Sequence, residues 1–537
     1  MKLAGMASNR GRNLLNIADL APGGAELAVV LTNEAGAPVL DAAESRDVPT
    51  EVVERGPGES RRDHERRIVD RLDGYEVDLV CLDGYMRILS DAFLDPMPTT
   101  LNVHPSLLPA FPGMDAWGDA LDAGVRQTGC TVHVVTNAVA PDGSILEEEI
   151  DAGPVVTQEP IPVYEDDTRE RLQDRVLYRG EFRAYPRAVR WFAEDRVTVD
   201  REAGTVRVDG DEDGQFPARR LVSSDRHAHL RYGENPHQDA AVYADLTCEE
   251  ASVVHAAQRN PGAKDLSYNN YNDADGALSL IKEFDAPAAA VIKHTNPAGC
   301  ATADSLVDAY DRALATDPMS AFGGIVALNR ECDAATAESI IESFKEVVVA
   351  PGYAADALEV LRGEENLRVL EVSDLADRSE TLAEKDLVGG RLVQERSLSS
   401  VNPGNLEVVT EREPTDDQLS SMAFAWKTIK HVMSNAIVFV KGTETVGIGA
   451  GQMSRVDAVH MAARKAREHA EGTDPEGAVM ASDAFFPFPD GIELAAEAGV
   501  EAVVQPGGST NDEAVIETAD DLGLAMAFTG ERCFRHD

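Results

Sequence analysis

Short apolar segments alternate with polar or amphipathic helical segments along this chain, and this alternation limits the folds open to it more than any other feature. In the first 200 residues the apolar segments have the length and composition of buried strands. The strand segments lie at 27–33, 77–86 and 131–136, and the helical segments at 60–72 and 168–192. We expect the last helix to be interrupted near Pro186, because proline lacks a backbone donor. Strands separated by helices predict a mainly parallel sheet with a ligand crevice at the carboxyl ends of its strands.

A second α/β stretch begins after the sequence changes character near residue 194. Residues 194–220 combine short β-like pieces with aspartate and glycine, which is typical of a hairpin-like extension or linker. Apolar segments then recur at 288–294, 323–328, 436–442, 445–451 and 501–507, with a helical segment at 457–471. A chain of 537 residues is too long for one core. We therefore predict domains at 1–200 and 221–537, joined by a linker at 201–220.

Charge and cysteine usage argue against several classes of protein. The formal net charge of −46 is spread along the chain, which makes nucleic-acid binding by the whole surface repulsive. No apolar run approaches the roughly 18 residues of a membrane helix, and the N-terminus is too polar for a secretory signal. The six cysteines form no CxxC pair, which argues against a disulfide framework and a thiolate zinc site. We expect a cytoplasmic protein without a metal, and its acid-rich, lysine-poor composition resembles that of proteins from salt-accumulating halophiles.

Three polar segments of the first domain can carry chemistry. Residues 7–17 place a glycine-containing turn before a helix, which is either a phosphate seat or a plain strand–helix turn. In LNVHPSLLPAFPG, Asn102 and His104 are two residues apart in an extended segment, so their side chains point the same way. His104 is either a catalyst or a structural histidine. Asp151, before a Gly-Pro turn, is either a catalyst or a turn residue.

Together these segments resemble phosphoribosylglycinamide formyltransferase over residues 1 to about 195. The matching stretches, in the order of the family, are RGRNLL, GYMRILSDAF, LNVHPSLLPAFPG, GCTVHVV, DAGPVV and EFRAYP. The resemblance implies a Rossmann-like formyltransferase fold with 10-formyltetrahydrofolate as co-substrate. It implies that Asn102 and protonated His104 hydrogen-bond an oxyanion, and that Asp151 orients His104 and relays a proton. Substrate contacts are implied for Gly11, Arg12, Asn13 and Glu181, and folate contacts for Met86, Arg87, Ile88 and Leu89.

Two departures from this family pattern bear on the first site. Arg12 replaces a small uncharged residue after the phosphate-loop glycine and adds a cation beside the phosphate seat. An acidic insertion at 137–150 lengthens the connection from His133 to Asp151. The position of Asp151 therefore depends on how this insertion folds.

The second domain contains a lysine–histidine pair and several turns rich in glycine, asparagine and aromatic residues. Lys293 and His294 end an apolar strand in VIKHTNPAG; such a pair is either a surface feature or, when desolvated, suited to proton transfer. LRYGENPHQ (230–238) is either a turn or a recognition loop. The other segments of this kind are SYNNYNDAD, DPMSAFGGIVA, WKTIKHVMSNAIVF, GIGAGQMSRV, SDAFFPFPDG and ERCFRHD.

From about residue 218 to the C-terminus, this set resembles the transformylase half of the bifunctional enzyme that formylates aminoimidazole carboxamide ribonucleotide (AICAR). The resemblance implies a duplicated cytidine-deaminase-like α/β fold without zinc, in agreement with the missing PCxxC signature. It implies that His294 deprotonates the acceptor amine and that Lys293 protonates the departing folate nitrogen. Nucleotide contacts are implied for Arg231, Tyr232, Asn270, Arg532 and His536, and folate or formyl contacts for Phe322, Gly323, Asn435, Phe485 and Asp490. Gly491 replaces a side-chain amide sometimes found after the folate aspartate, and a homodimer through this domain is also implied.

The sequence therefore predicts a two-site enzyme that uses 10-formyltetrahydrofolate to formylate glycinamide ribonucleotide and AICAR. The cyclohydrolase domain that precedes the transformylase in the family is expected to be absent, so that ring closure falls to another protein. Its expected partners are small-molecule nucleotides and folate, not nucleic acid or a membrane. Three alternatives remain: an active second domain with a binding or regulatory first domain, a non-catalytic assembly protein, and a zinc deaminase, against which the ligand set argues.

Overall fold

The computed structural model describes residues 1–200, 203–210, 215–217 and 219–536, and the chain divides into two compact units. Unit 1 is Met1–Leu221 and unit 2 is Val222–Asp537. The predicted linker at 201–220 lies partly outside the described residues. Within the described ranges, no helix combines the length and apolar character that crossing a bilayer requires.

A mainly parallel sheet forms the centre of unit 1. Its strands among the described residues are β1 (Lys2–Met6), β2 (Glu26–Thr32), β3 (Thr50–Val52), β4 (Leu79–Leu82), β5 (Thr100–His104), β6 (Gln127–Val134) and β7 (Val155–Pro162). Their order is β3-β2-β1-β4-β5-β6-β7, with β1 to β5 parallel and β6 and β7 antiparallel at one edge. The predicted α/β class with a mainly parallel sheet is confirmed.

Helices pack on both faces of this sheet. They are α1 (Arg12–Leu20), α2 (Val39–Glu44), α3 (Arg61–Leu72), α4 (Asp91–Leu94), α5 (Ala116–Asp122), α6 (Arg169–Arg175) and α7 (Phe182–Ala193). Short 3₁₀ turns lie at Pro22–Gly24, Asp73–Tyr75 and Glu147–Glu149. The polar turn after β1, Asp83 after β4 and His104 in β5 all lie at the carboxyl edge of the sheet, where parallel sheets bind ligands.

The long helical segment is interrupted by a π-helix, Val176–Glu181, and not at Pro186 as expected. Pro186 lies inside α7, where it cannot donate to the carbonyl of Phe182. Asn16 Nδ2 donates to that carbonyl at 3.3 Å, so the freed acceptor has another partner and the helix continues. The π-helix instead changes the direction of the side chains, and it ends at Glu181.

The segment that we expected to be a hairpin-like extension forms an antiparallel pair, β8 (Val197–Asp200) and β9 (Thr205–Val208). Residues 201, 202, 211–214 and 218 of the predicted linker lie outside the described residues.

Unit 2 repeats one structural pattern twice. The first half contains α8 (Tyr268–Ile281), β13 (Ala288–Lys293), β14 (Asn296–Thr302), α9 (Leu306–Ala315), α10 (Pro318–Ala321), β15 (Ile325–Leu328), α11 (Ala334–Ile341), β16 (Val347–Ala350), α12 (Ala355–Arg362) and β17 (Arg368–Glu371). The second contains α13 (Asp416–Ile429), β21 (Ile437–Lys441), β22 (Glu444–Gly449), α14 (Arg455–Glu468), β23 (Val479–Ser482), α15 (Asp490–Glu497), β24 (Ala502–Gln505), α16 (Asp512–Asp521) and β25 (Ala525–Phe528). Each half is thus a helix, a two-stranded hairpin and three further strands separated by helices.

Short additional elements surround the two halves. They are β10 (Asp225–Leu230), β11 (Ala240–Ala244), β12 (Ala257–Gln258), β18 (Leu382–Leu387), β19 (Gly390–Glu395), β20 (Glu407–Val408) and a 3₁₀ turn at Pro403–Asn405. Twelve strands of the described residues join in the order β12-β17-β16-β15-β13-β14-β22-β21-β23-β24-β25-β20. The two hairpins meet in the middle, where Ala301 of β14 pairs with Glu444 of β22.

The core of unit 2 follows from this duplication. α8 and α13 share one face of the sheet in a single apolar cluster that draws on both halves. On the opposite face, α9, α11 and α12 cover the first half, and α14, α15 and α16 cover the second. Since both faces are covered, the strands are apolar along their whole length, as the sequence pattern indicated.

Candidate active sites

The side chains of His104 and Asp151 meet at the end of β5 in unit 1. His104 Nδ1 lies 3.2 Å from Asp151 Oδ2, and His104 Nε2 lies 2.9 Å from the carbonyl oxygen of Phe111. A carboxylate and a carbonyl both accept hydrogen bonds, so both ring nitrogens of His104 are placed to donate. This environment favours the imidazolium form of His104.

The pKa values of the two groups shift in the directions that stabilise the ion pair. Burial lowers the pKa of His104, but the hydrogen bond and charge of Asp151 outweigh it, and the pKa is raised above its ordinary value. Burial raises the pKa of Asp151, but the hydrogen bond and charge of His104 outweigh it, and the pKa is lowered.

This ion pair predicts a pH-dependent contribution to the stability of unit 1. The raised pKa of His104 gives stabilisation that is complete below the unfolded pKa of about 6.5 and is lost as pH rises through the folded pKa. The lowered pKa of Asp151 gives stabilisation that is complete above about 3.9 and is lost as pH falls. We expect the difference in unfolding free energy between wild type and His104→Gln, from urea denaturation, to be largest between about pH 4 and 6.5. A difference independent of pH would contradict the ion pair.

Asn102 contacts His133 across the β5–β6 register. Asn102 Nδ2 lies 3.2 Å from His133 Nε2, and the other ring nitrogen of His133 lies 3.2 Å from the carbonyl oxygen of Val134. Burial lowers the pKa of His133, so the neutral ring donates to Val134 through Nδ1 and accepts from Asn102 through Nε2. The second Nδ2 hydrogen of Asn102 is left for a ligand. A role of His133 could not be predicted from the sequence, because the pairing between strands cannot be deduced from the chain alone.

The acidic insertion at 137–150 folds as a compact loop and still delivers Asp151 to His104. Val139 pairs with Ile145 in an isolated bridge, and the Leu146 N–H donates to the Ala138 carbonyl at 2.9 Å. Asp151 itself has a φ of 57°, in the left-handed region.

The polar turn before α1 supports only part of the predicted phosphate seat. Gly11 has a φ of 56°, and a Cβ there would lie 2.5 Å from Val39 Cγ2, so the position requires glycine. The Arg12 guanidinium lies at the rim, where its Nη1 is 3.5 Å from the Tyr178 hydroxyl. The Asn13 N–H, which would be free at a helix start, donates to Asp83 Oδ2 at 2.8 Å.

Asn13 also joins two carboxylates below this turn. Its Nδ2 donates to Asp83 Oδ1 at 3.1 Å and to Glu181 Oε2 at 2.7 Å. Burial, together with the negative charge of Asp83, raises the pKa of Glu181 to about 7 against the hydrogen bond from Asn13. Burial also raises the pKa of Asp83. No local pattern in the sequence predicts this contact of Asp83.

The predicted folate residues of unit 1 follow β4. Met86 is exposed, and its N–H donates to Ser8 Oγ at 2.9 Å. Arg87, Ile88 and Leu89 line a cavity of about 40 Å³. These four residues therefore form one segment beside the turn that precedes α1.

In unit 2, Lys293 and His294 lie at the tip of the β13–β14 hairpin. Lys293 Nζ donates to the Gly323 carbonyl at 3.0 Å, so two of the predicted residues are in contact. Lys293 is half-buried and His294 is exposed, so of the two readings of this pair the surface position, and not the desolvated one, describes it within one chain.

The turn that presents His294 has a strained backbone. His294 and Thr295 have φ values of 51° and 62°, a conformation that favours glycine or asparagine in two-residue hairpins. The equivalent hairpin of the second half has Gly442, with a φ of 59°, at the position of His294. Asp273 of α8 holds the strained turn, since its Oδ1 accepts the Thr295 N–H at 2.7 Å. Strained backbone of this kind clusters at functional positions. Here the strained position carries a histidine, whereas the equivalent position of the second hairpin carries glycine.

A cavity of about 420 Å³ brings together four other predicted residues, namely Asn435, Phe485, Asp490 and Arg532. The amide of Asn435 is fixed: Oδ1 accepts from Arg455 Nη2 at 2.9 Å, and Nδ2 donates to the carbonyls of Gln452 and Met453. Arg455 in turn lies 2.5 Å from buried Asp483. No local pattern in the sequence predicts this buried Arg–Asp pair.

A second cavity of unit 2, of about 600 Å³, is lined by Arg231, Tyr232 and Asn270. Asn270 lies in the first turn of α8, forms a capping box with Ser267 and donates to Glu346 Oε2 at 2.8 Å. The spacing Ser-x-x-Asn could have indicated this structural role from the sequence. Basic side chains that were not predicted from the sequence also line the cavity, namely His227, His229, Lys264 and Arg368.

The remaining predicted residues lie beside these cavities. Phe322 is exposed and packs against Phe344 at 5.6 Å between ring centroids. The His536 ring lies 5.7 Å from that of Phe534, which also contacts Arg532. The predicted nucleotide contacts of unit 2 are thus divided between separate places in one chain.

Two family models match consecutive parts of the chain. The model described as AICARFT/IMPCHase bienzyme matches residues 190–465, just over half of the chain, and the model described as Formyl transferase matches residues 1–189. The chain belongs to the AICARFT/IMPCHase bienzyme family. The predicted fusion of a formyltransferase unit with a member of this family is confirmed, and so is the prediction of a formyltransferase enzyme.

Curated relatives of the bienzyme family match with high identity. "Bifunctional purine biosynthesis protein PurH" of Roseobacter denitrificans is 51% identical over 332 residues, which are 60% of this chain and 62% of that protein. The protein of the same name from Magnetococcus marinus is 50% identical over the same shares. The chain therefore spans about 62% of the length of these relatives.

Solved structures match a smaller share of the chain. Glycinamide ribonucleotide transformylase 1 from Symbiobacterium toebii is 38% identical, with a TM-score of 0.35, over 39% of this chain and 93% of that one. Phosphoribosylglycinamide formyltransferase from Brucella melitensis is 40% identical, with a TM-score of 0.32, over 36% of this chain and 95% of that one.

The expectation that the chain lacks the cyclohydrolase is wrong. The matching model is that of the bienzyme, whose description includes IMPCHase, and both relatives are named as bifunctional proteins. The expectation came from the order of domains along the chain, which does not decide the activities that each domain carries. The derived expectation that ring closure falls to another protein is withdrawn with it.

Proposed function

We propose that unit 1 transfers the formyl group of 10-formyltetrahydrofolate to the amine of glycinamide ribonucleotide, and that unit 2 transfers one to the amine of AICAR. The observation that carries the proposal is the His104–Asp151 ion pair with Asn102 beside it at the carboxyl edge of the sheet. An imidazolium and an amide N–H at one place suit a reaction in which negative charge develops on an oxygen.

In unit 1, attack of the amine on the formyl carbon places negative charge on the formyl oxygen. His104 donates its Nε2 hydrogen to this oxygen in place of the Phe111 carbonyl, and Asn102 donates its free Nδ2 hydrogen. Asp151 keeps His104 charged and oriented until the proton passes to the leaving nitrogen.

In unit 2, the acceptor amine is conjugated into an imidazole and needs a base. His294, on its strained turn, is suited to remove the amine proton, and Lys293 Nζ, beside the Gly323 carbonyl, to protonate the leaving nitrogen.

Transfer of isotope-labelled formyl to each acceptor, supplied separately, tests the proposal. Label is expected in both products from the wild-type chain. Label in the AICAR product alone would favour the alternative in which unit 1 is a binding or regulatory module. Label in neither product would overturn the proposal.

We also propose that unit 2 forms a homodimer that completes its active site. Support comes from His294, which is exposed in one chain, and from the division of the nucleotide contacts between separate cavities. Large apolar side chains are exposed beside the predicted residues: fully exposed Met453 and Phe488, 60% exposed, line the cavity that contains Arg532, and Phe322, 62% exposed, precedes Gly323. Exposed apolar groups in such number are typical of a surface that another protein covers.

Mixing two inactive variants tests this shared site. Arg231→Ala and Arg532→Ala change residues that line different cavities of unit 2. If each site draws these arginines from different copies, random re-association makes half of the dimers mixed, and one of their two sites is intact. We expect AICAR formylation to recover to about one quarter of the wild-type rate after the variants are unfolded and refolded together. No recovery, with dimers confirmed by sedimentation, would place both arginines in a site within one chain.

A further inference from the structure

The hairpin turn that presents His294 has contacts with both halves of unit 2. On one side, Asp273 of α8, in the first half, accepts the Thr295 N–H at 2.7 Å. On the other side, Asn296, which follows the turn as the first residue of β14, joins the turn to the second half.

Asn296 uses both ends of its amide for this link. Its Nδ2 donates to the His294 carbonyl at 3.1 Å, and its Oδ1 accepts the Met433 N–H at 2.9 Å. Met433 lies two residues before Asn435, which lines the cavity of about 420 Å³. One half-buried amide thus connects the backbone that carries the proposed base with the backbone that leads to Asn435.

The segment that contains Asn435 is otherwise bonded to later parts of the chain. The Ser434 N–H donates to the Arg535 carbonyl at 2.8 Å, and the Asn435 N–H donates to the Gln452 carbonyl at 3.0 Å. The residue before them donates instead to Asn296, in the first half of the unit. The Asn296 amide therefore fixes this segment of the second half relative to the turn of the first half.

The duplicated fold does not itself require an amide at this position. Lys293 pairs with Asn296 across the first hairpin, and Lys441 pairs with Glu444 across the second. Charged glutamate has no side-chain donor and cannot make the bond that Nδ2 makes to the turn. An amide that bridges two backbones is thus a feature of the hairpin that carries His294.

We propose that Asn296 is a positioning residue for formyl transfer to AICAR, which holds His294 at a fixed separation from Asn435. This inference rests on the proposed function of unit 2, in which His294 is the base and Asn435 lies beside the formyl group. Both residues of the turn, His294 and Thr295, have positive φ without being glycine, so surrounding contacts must hold the turn in place. A base that moves away from the amine by even a small distance loses much of its effect.

Steady-state kinetics of the full chain with Asn296→Ala test the proposal. We expect kcat for AICAR formylation to fall about 10- to 100-fold, because the two reacting regions are no longer held together. The KM values for AICAR and for the folate donor are expected to stay within about twofold, since both contacts of the Asn296 amide are with protein backbone. Glu444→Ala, at the equivalent position of the second hairpin, is the matched control and is expected to keep the wild-type kcat.

Combination with His294→Ala separates positioning from a general loss of structure. If Asn296 acts through His294, adding Asn296→Ala to the His294→Ala chain is expected to lower the remaining rate by about twofold or less. Equal losses in the two backgrounds would show that Asn296 does not act through His294 and would overturn the inference. An unchanged kcat in the folded single variant would overturn it as well.

Asn296→Asp keeps the proposal testable if alanine unfolds unit 2. Aspartate keeps an oxygen that accepts the Met433 N–H and removes the donor to the His294 carbonyl. We expect kcat to fall at least about tenfold in this variant, with thermal unfolding used to confirm that it is folded. A wild-type kcat here would contradict the inference. If the wild-type chain transfers no label to AICAR, the proposed function fails instead, so the two failures are distinguishable.

Discussion

Alanine in place of His104 is expected to slow formyl transfer to glycinamide ribonucleotide by about 10²–10⁴-fold. The substitution removes the imidazolium and leaves half-buried Asp151 without its charged partner. Transfer to AICAR is expected to stay at the wild-type rate, because the residues proposed for that reaction belong to unit 2. Initial rates with each acceptor, measured on the same preparation, check both statements.

One further variant separates charge from shape at this site, and a second serves as its control. Asp151→Asn keeps a hydrogen-bond acceptor for His104 but removes the charge that raises the pKa of the imidazole. The alkaline limb of the rate profile is therefore expected to move to lower pH. His460→Ala, which removes an exposed histidine of α14, is the control for loss of a histidine as such. More than about a tenth of the wild-type rate in His104→Ala would leave the cluster without the role proposed for it.

In unit 1, the sequence predicted those features of the site that depend on one strand alone, and not those that depend on how strands pair. The two-residue spacing of Asn102 and His104 in an extended segment is enough to give their side chains one direction. It cannot reveal that Asn102 faces His133, because that contact depends on the register between β5 and β6. The contact of Asp83 could not be predicted for the same reason, because α1 and the π-helix approach it from distant parts of the chain.

A local rule, the helix-breaking effect of proline, gave a wrong prediction where a tertiary contact satisfies the backbone. Pro186 predicted a helix break, but Asn16 satisfies the carbonyl that proline leaves free, and α7 continues. Asn270 has both ends of its amide in protein hydrogen bonds, and the nucleotide contact that the family resemblance implies for it stays a prediction. The duplicated fold of unit 2 followed from the family resemblance, whereas the strained turn at His294 is visible only in backbone angles.

Glycine in place of His294 is expected to abolish AICAR formylation while the fold of unit 2 is kept. Glycine adopts a φ of 51° without the cost of roughly 1–2 kcal/mol that other residues bear there. That gain offsets the greater backbone freedom of glycine in the unfolded chain, so the free energy of unfolding should stay within about 1 kcal/mol of wild type. The rate, in contrast, is expected to fall by about 10²–10⁴-fold, because the proposed base is gone.

The other half of unit 2 provides the reciprocal experiment. Gly442→His places a histidine at the equivalent hairpin position, where an added Cβ meets open space and the cost is therefore conformational. We expect this variant to lose roughly 1–2 kcal/mol of stability and to keep wild-type AICAR formylation, measured by thermal unfolding and initial rates. Full activity in His294→Gly, or equal losses of activity in the two variants, would contradict the role of His294. We thus expect opposite results at the two equivalent turns: loss of activity with stability kept in His294→Gly, and loss of stability with activity kept in Gly442→His. Together they would show that position 294 needs histidine for the reaction and not for the fold.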